Sequence, residues 1–231
     1  MSATLPMDEA LSERQKAVLD AALSLLVEDG DKLTMTAVAR RASCSKETLY
    51  KWFGGRDGLL TATVQWQAAK VRAVPVRRET LCPQSLVQGL EQFASDWLRV
   101  IASRTSIALN RVAVGQAGTD KHDLGLIVLE NGPVALRARL RPFLEVAREA
   151  GLLEFDTADE AFGTFFGLVV RDLQIRLLLG DRTPITDAEI DRDARRATQQ
   201  FLSLHGAQST APATAPATSN NERGNVHARV L

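Results

Sequence analysis

Three features of the amino-acid sequence predict an all-α fold. Apolar residues recur at spacings of three and four through most of the chain, which is the period of one helix face. No stretch of useful length alternates apolar and polar residues with the period of two that a half-buried strand needs. The apolar stretches begin at Ser or Thr and end at Gly or Pro, the residues that start and stop helices.

Taken in order, the first helix is expected over residues 12–29. Ser12 and Gln15 form a capping box, Val18, Leu19, Ala22, Leu23 and Leu26 make an apolar stripe, and Gly30 ends the run. A short second helix opens at Thr34, a good N-cap, and buries Val38, Ala39 and Ala42. Ser43-Cys44 make a tight turn. Ser45 caps a third helix, with Glu47 in its first turn, where the helix dipole favours an anion, and with Leu49 and Phe53 facing inward. Gly54-Gly55 break the chain, and a fourth helix starts near Arg56, carrying Leu59, Leu60, Val64 and Trp66. Pro75 and Pro83 bracket a joint.

Beyond the joint the helical period continues. Residues 84–103 place Leu86, Leu90, Phe93, Trp97 and Ile101 on one face, and shorter helices are expected over 105–116 and about 122–131. Gly132-Pro133 is expected to stop one helix and start the next, over 133–150. Thr157 and Glu160 form a capping box for a single helix over 158–180, and a last helix covers about 187–204. The expected organisation is an N-terminal domain over 1–78, a C-terminal helical domain over 79–206 and a disordered tail over 207–231. That tail, rich in Ala, Thr, Pro and Ser, lacks the apolar mass to offset the entropy of ordering.

Composition excludes several classes of function. No run of 18 apolar residues is present, so no membrane span is expected, and the first residues lack a basic-then-apolar signal pattern. A cytoplasmic location follows as the expectation. Cys44 and Cys82 do not make a disulfide scaffold, and the scattered histidines make no metal cluster, so no cofactor is expected. The sequence holds no G-x-S-x-G, no H-E-x-x-H and no phosphate-cradling glycine loop, and an enzyme is not expected. The net charge of zero conceals an asymmetry: residues 40–78 carry nine Lys and Arg against two Asp and Glu, whereas residues 79–206 carry 14 against 18. A basic surface at one end is what phosphate binding requires.

The segment T-M-T-A-V-A-R-R-A-S-C-S-K-E-T-L-Y-K-W-F-G-G-R-D-G-L-L, residues 34–60, reads as a helix, a tight turn, a second helix and the start of a third. Such a unit can place a few polar side chains in a DNA major groove. Geometry makes Lys46 and Thr48 the candidates for base edges, and Ser45, Tyr50 and Lys51 the candidates for phosphates. The frame of Thr34, Val38, Ala39, Thr48, Leu49, Tyr50 and Phe53, preceded by R-Q-K-A-V-L-D-A-A-L-S-L-L-V-E-D-G, resembles the DNA-binding domain of the TetR family of bacterial regulators. The likeness covers about the first 70 residues, and the rest resembles the family's helical ligand domains only loosely. In the family the turn usually holds Gly-Val, here Ser43-Cys44, and a His often precedes the Phe, here Trp52. Ser43 thus has to adopt a positive φ without the freedom of glycine. The resemblance adds Thr36 and Arg56 as phosphate candidates.

The resemblance implies a homodimer on a palindromic double-stranded operator, with a small effector in the second domain. Phe93 and Trp97 form an aromatic stripe, and polar residues stand among the neighbouring apolar helices: Asn110, Arg111, Gln116, His122, Glu130 and Arg171. An apolar cavity with a few polar anchors is what a small-molecule site looks like. Phe93, Trp97, Asn110, Arg111, Phe166 and Arg171 are the effector candidates. Phe162, Phe165 and Val169 cover more than one narrow stripe, and the family's arrangement assigns them to the dimer interface. The expected function is a DNA-binding transcriptional regulator, a repressor modulated by an effector. The alternatives are a DNA-bound protein whose second domain binds another protein, or a helical enzyme or binding protein without DNA activity.

Overall fold

Local capping signals decide where the helices start. In the computed structural model, which describes residues 11–29, 33–75, 78–117 and 124–207, helix α1 (Glu13–Asp29) follows the expected capping box. The Gln15 backbone N–H donates to Ser12 Oγ at 3.3 Å, and the Ser12 N–H donates to Gln15 Oε1 at 3.0 Å. Thr34 caps α2 (Met35–Arg41) by accepting from the Ala37 N–H at 3.1 Å, and Ser45 caps α3 (Lys46–Phe53) by accepting from the Thr48 N–H at 3.1 Å. Helix α3 ends at Gly54, whose φ of 76° satisfies the left-handed cap that other residues resist. Helix α4 (Arg56–Ala69) can begin so soon because Gly58 has no Cβ: one there would stand 1.8 Å from the Phe53 carbonyl oxygen. Gly30, His122 and residues 208–231, named above, lie outside the described residues.

The second half is also helical: α5 (Pro83–Ala102), α6 (Arg104–Gln116), α7 (Leu124–Leu129), α8 (Ala135–Glu149), α9 (Ala158–Val170), α10 (Leu173–Leu179) and α11 (Asp187–His205). The all-α expectation holds; among the described residues the extended pairing is confined to an isolated bridge between Leu153 and Gly206. Two element expectations are corrected. Gly132-Pro133 does not break the chain. Residues Glu130–Val134 form a π-helical turn that joins α7 directly to α8. Proline lacks an N–H and its ring crowds the carbonyl one turn back, and a widened turn absorbs both effects without ending the helix. The single helix expected over 158–180 is two, because Arg171 adopts φ 47° and ψ −130° and breaks it.

Two apolar cores result. Helices α1 to α4 bury Leu19, Leu26, Val38, Leu49, Leu59 and Leu60, and this core also takes in Leu109 and Ala113 of α6 and Leu124 of α7. The second core gathers Phe93 and Trp97 of α5, Leu140 and Phe143 of α8, Phe162 and Phe165 of α9 and Phe201 of α11, together with Val71 from the segment after α4. Each core therefore borrows side chains from the other end of the chain. Helix α1 lies on α6, and α4 lies on α7 and the π-turn, so the N-terminal bundle is seated on the second half rather than tethered to it.

Candidate functional site

The outer surface of the α2–α3 unit is built from what the core leaves over. Leu49 is fully buried and fixes the rotation of α3. Thr36, Ser45, Lys46, Glu47, Tyr50 and Lys51 are then exposed, and Thr48 is half-buried, its hydroxyl 3.1 Å from that of Ser45. The carboxyl of Glu47 is held below its usual value by its own backbone N–H and by the Ser45 hydroxyl. Ser43 makes the turn at φ 50°, the left-handed conformation that the motif demands of it. Arg56 stands apart from the other candidates. Its Nε donates to the Leu33 carbonyl at 3.3 Å and its Nη1 is buried, so it staples α4 to the segment before α2.

Between α4 and the second half lies a cavity of about 70 Å³. Trp97, Asn110 and Phe166 line it, as do Val64, Gln67 and Ala68 of α4 and Gly132-Pro133 of the π-turn. Its aromatic wall is Trp97 with Phe166 tilted against it at 5.1 Å, and Phe162, outside the lining, stacks on Trp97 at 5.8 Å and 18°. Two of the polar side chains at the cavity are tied up. Gln67 donates from Nε2 to Ser103 Oγ at 2.9 Å, and Asn110 donates from Nδ2 to the Ser106 carbonyl at 2.8 Å. Three further bonds tie this region to α4 and the segment after it: Arg139 of α8 donates to the Ala68 and Val71 carbonyls, and Gln65 donates to Asn131 Oδ1 at 2.8 Å. Burial lowers the pKa of the Arg139 guanidinium.

The sequence matches the profile of the bacterial regulatory proteins of the tetR family over residues 18–63, and that of the AefR-like transcriptional repressor C-terminal domain over residues 88–207. The chain belongs to the TetR family. A solved TetR transcriptional regulator from Agrobacterium tumefaciens is 46% identical, with a TM-score of 0.74 over 86% of this chain and 97% of that one. The Flavonoid-responsive Regulator FrrA is 29% identical, with a TM-score of 0.62 over 85% of this chain and 98% of that one. Among protein sequences, the HTH-type transcriptional regulator YdeS of Bacillus subtilis (strain 168) is 31% identical over 113 residues, 48% of this chain and 52% of that protein. BetI of Rhizobium meliloti (strain 1021) is 34% identical over 80 residues, 33% of this chain and 39% of that protein. These two matches span about half, or less, of the relatives' length. The chain is thus a helix-turn-helix transcriptional regulator of a family that binds operator DNA and typically dimerises.

Within this TetR-family regulator the structure separates the effector candidates. Trp97, Asn110 and Phe166 meet at the cavity. Phe93 is buried in the core behind Trp97, its ring edge-on at 6.0 Å. Arg111 points away, its Nε and Nη2 donating to the Leu178 and Leu177 carbonyls at 3.1 and 2.7 Å. Arg171 is exposed at the break between α9 and α10. Sequence reasoning missed Gln67, although it falls on the apolar stripe of Leu60, Val64 and Ala68 and is 3% exposed. A lone Gln at such a register position is a legible signal.

The dimer candidates lie in the interior of the single chain. Phe162, Phe165 and Val169 are buried in their own chain: Phe162 stacks on Trp97 and Phe165 meets Phe201 edge-on at 5.2 Å. The breadth of the apolar stripe on α9 is explained by three neighbours within the chain, α5, α8 and α11. The outward face of α9 instead carries Gly163 and Gly167, where an added Cβ would meet nothing within 4 Å.

Proposed function

We propose that the chain is a homodimeric repressor whose operator affinity falls when a small molecule enters the inner cavity. The observation that carries this reading is that α4 is at once the last helix of the N-terminal bundle and one wall of the cavity. At about 70 Å³ the cavity is well below the ~300–1,000 Å³ of ordinary ligand sites, so a ligand has to push its walls apart. Displacing α4 moves the helix-turn-helix seated on it. The ligand then favours a conformation that misfits the operator, which is the differential affinity that coupling needs. A relative of 29% identity is a flavonoid-responsive regulator, and the aromatic wall of Trp97 and Phe166 suits a planar ring of that kind.

In this reading residues 1–78 are the DNA-binding domain and 79–206 the effector and dimerisation domain. Lys46 and Thr48 address base edges, and Thr36, Ser45, Tyr50 and Lys51 address phosphates. Arg56 acts through the fold, by holding α4 to the α2 side. Two copies pair through the outward faces of α9 and α11, spacing their reading helices by about 34 Å or a multiple, one turn of DNA. The test is a gel-shift titration on an operator selected from genomic fragments. Trp52 and Trp66 are replaced by Phe, so that quenching reports Trp97 alone. Compounds that quench Trp97 should release the operator. Quenching with unchanged operator affinity would overturn the coupling.

A further inference from the structure

The segment between α10 and α11 folds toward the start of α6 and leaves a second, outer cleft of about 710 Å³, within the ~300–1,000 Å³ range of small-molecule sites. Its apolar lining comes from three parts of the chain: Val27 of α1, Ile107 and Ala108 of α6, Leu177 of α10 and Ile185 before α11. None of its lining residues belongs to the inner cavity.

The charge of the cleft is uneven. Three arginines line it, Arg104, Arg111 and Arg182, against one acid, Asp181. Asp181 is already engaged: it accepts from the Thr183 N–H at 2.9 Å and lies 3.5 Å from Arg176, and these contacts hold its carboxyl below the usual value. Arg111 is anchored to the Leu177 and Leu178 carbonyls and forms no ion pair with a described carboxylate. Arg104 and Arg182 are exposed and form no ion pair with a described carboxylate. An inorganic anion would leave the apolar lining in water, and a plain hydrocarbon would crowd guanidinium groups that need acceptors. A molecule with both parts satisfies both demands.

We propose that this cleft binds a small carboxylate with an apolar body, its carboxylate held by Arg104 and Arg182 and its body against Ile107, Leu177 and Ile185. Such a ligand bridges α1, in the DNA-binding bundle, to the segment before α11. The test uses 2-naphthoate with the full chain and no DNA, so that it stands apart from the operator reading. Calorimetry should show saturable binding at or below millimolar concentration, at least tenfold weaker for the uncharged 2-naphthamide. The double variant Arg104→Ala/Arg182→Ala, both positions being exposed, should keep its helical circular dichroism and lose at least tenfold in affinity. Asn110→Leu, at a residue that lines the inner cavity and not the cleft, should bind 2-naphthoate like the wild type. Full affinity in the double variant, loss of affinity in Asn110→Leu alone, or no binding at 10 mM would each overturn the proposal.

Discussion

Arg72 holds Asp96 by both carboxylate oxygens: its Nε donates to Oδ2 at 2.9 Å and its Nη2 to Oδ1 at 3.1 Å. The Arg72 backbone N–H adds a bond to Oδ2 at 3.4 Å, and Gln92 donates to Oδ1 at 2.7 Å. The bond and the charge of Asp96 raise the pKa of the guanidinium. Because Arg72 follows α4 and Asp96 lies on α5, the pair pins the exit of the DNA-binding bundle to the second half. The burden falls on the aspartate, whose side chain is 8% exposed while that of Arg72 is 69% exposed. Arg72→Ala should therefore destabilise by about 1–3 kcal/mol, the cost of leaving a buried acceptor under-satisfied. Urea unfolding checks it; an unchanged midpoint would show that the clamp contributes nothing.

Binding to DNA should depend on Lys51 in a way that reports a phosphate. Lys51→Ala should weaken all sequences alike and reduce the slope of log affinity against log salt by about one. Thr48→Ala should instead change sequence preference. Gel shifts across a salt series separate the two behaviours, and a double variant that binds like the wild type would remove α3 from the interface.

The outward face of α9 makes a sharper test of dimerisation than its buried one. Gly167→Arg places a long cation at an exposed position where an added Cβ meets nothing within 4 Å, so it should yield folded monomers. Val169→Asp, at 3% exposure, should unfold the second core before it reports on assembly. Sedimentation with circular dichroism distinguishes them. A dimeric Gly167→Arg protein would move the interface elsewhere.

Backbone strain predicts two stabilising changes. Ser43 at φ 50° and Arg171 at φ 47° occupy a region that glycine enters at little cost. Relief of about 1–3 kcal/mol of strain, less about 0.4–1 kcal/mol for the added freedom of the unfolded chain, should leave Ser43→Gly and Arg171→Gly each more stable than the wild type, read from denaturant midpoints. Loss of stability in either would mean that the side chain contributes more than the conformation costs.

Acid should weaken the contact between α5 and α11. Asp191 accepts from Ser95 Oγ at 2.7 Å and from Arg99 Nη2 at 2.8 Å, and these partners depress its pKa. A carboxylate with a folded pKa below its unfolded value of about 4 stabilises above that value, and the contribution is lost as pH falls through the folded one. Asp191→Asn should lower the unfolding midpoint near pH 7, where the contribution is fully present, and converge on the wild type as pH falls through the folded pKa, so that its acid limb is flatter. An acid limb as steep as that of the wild type would exclude Asp191 as its source.

The parts of this structure that were legible in the sequence are those decided within a few residues. Ser12 with Gln15, Thr34 and Ser45 cap the helices they were expected to cap, because the cap bonds span three residues. The positive φ at Ser43 was legible from the resemblance, since the position usually holds Gly. Thr157 also caps its helix as expected, although the return contact to Glu160 comes from the hydroxyl and not from the backbone. The candidate residues of α3 are exposed because one apolar position, Leu49, sets the rotation of so short a helix.

What only the tertiary structure decided concerns helices with several neighbours. An apolar stripe records that a side chain is covered, but not by what. Phe162, Phe165 and Val169 carry the pattern that a partner subunit would require, and α5, α8 and α11 supply the cover instead. The break at Arg171 and the unbroken run through Pro133 escaped the sequence because each is a local cost outweighed by packing far along the chain. The sequence by itself determined the helices, their caps and the polar face of α3. The division of buried surface between core and cavity was set by the packing of the eleven described α-helices together, since hydrophobic burial has no direction of its own.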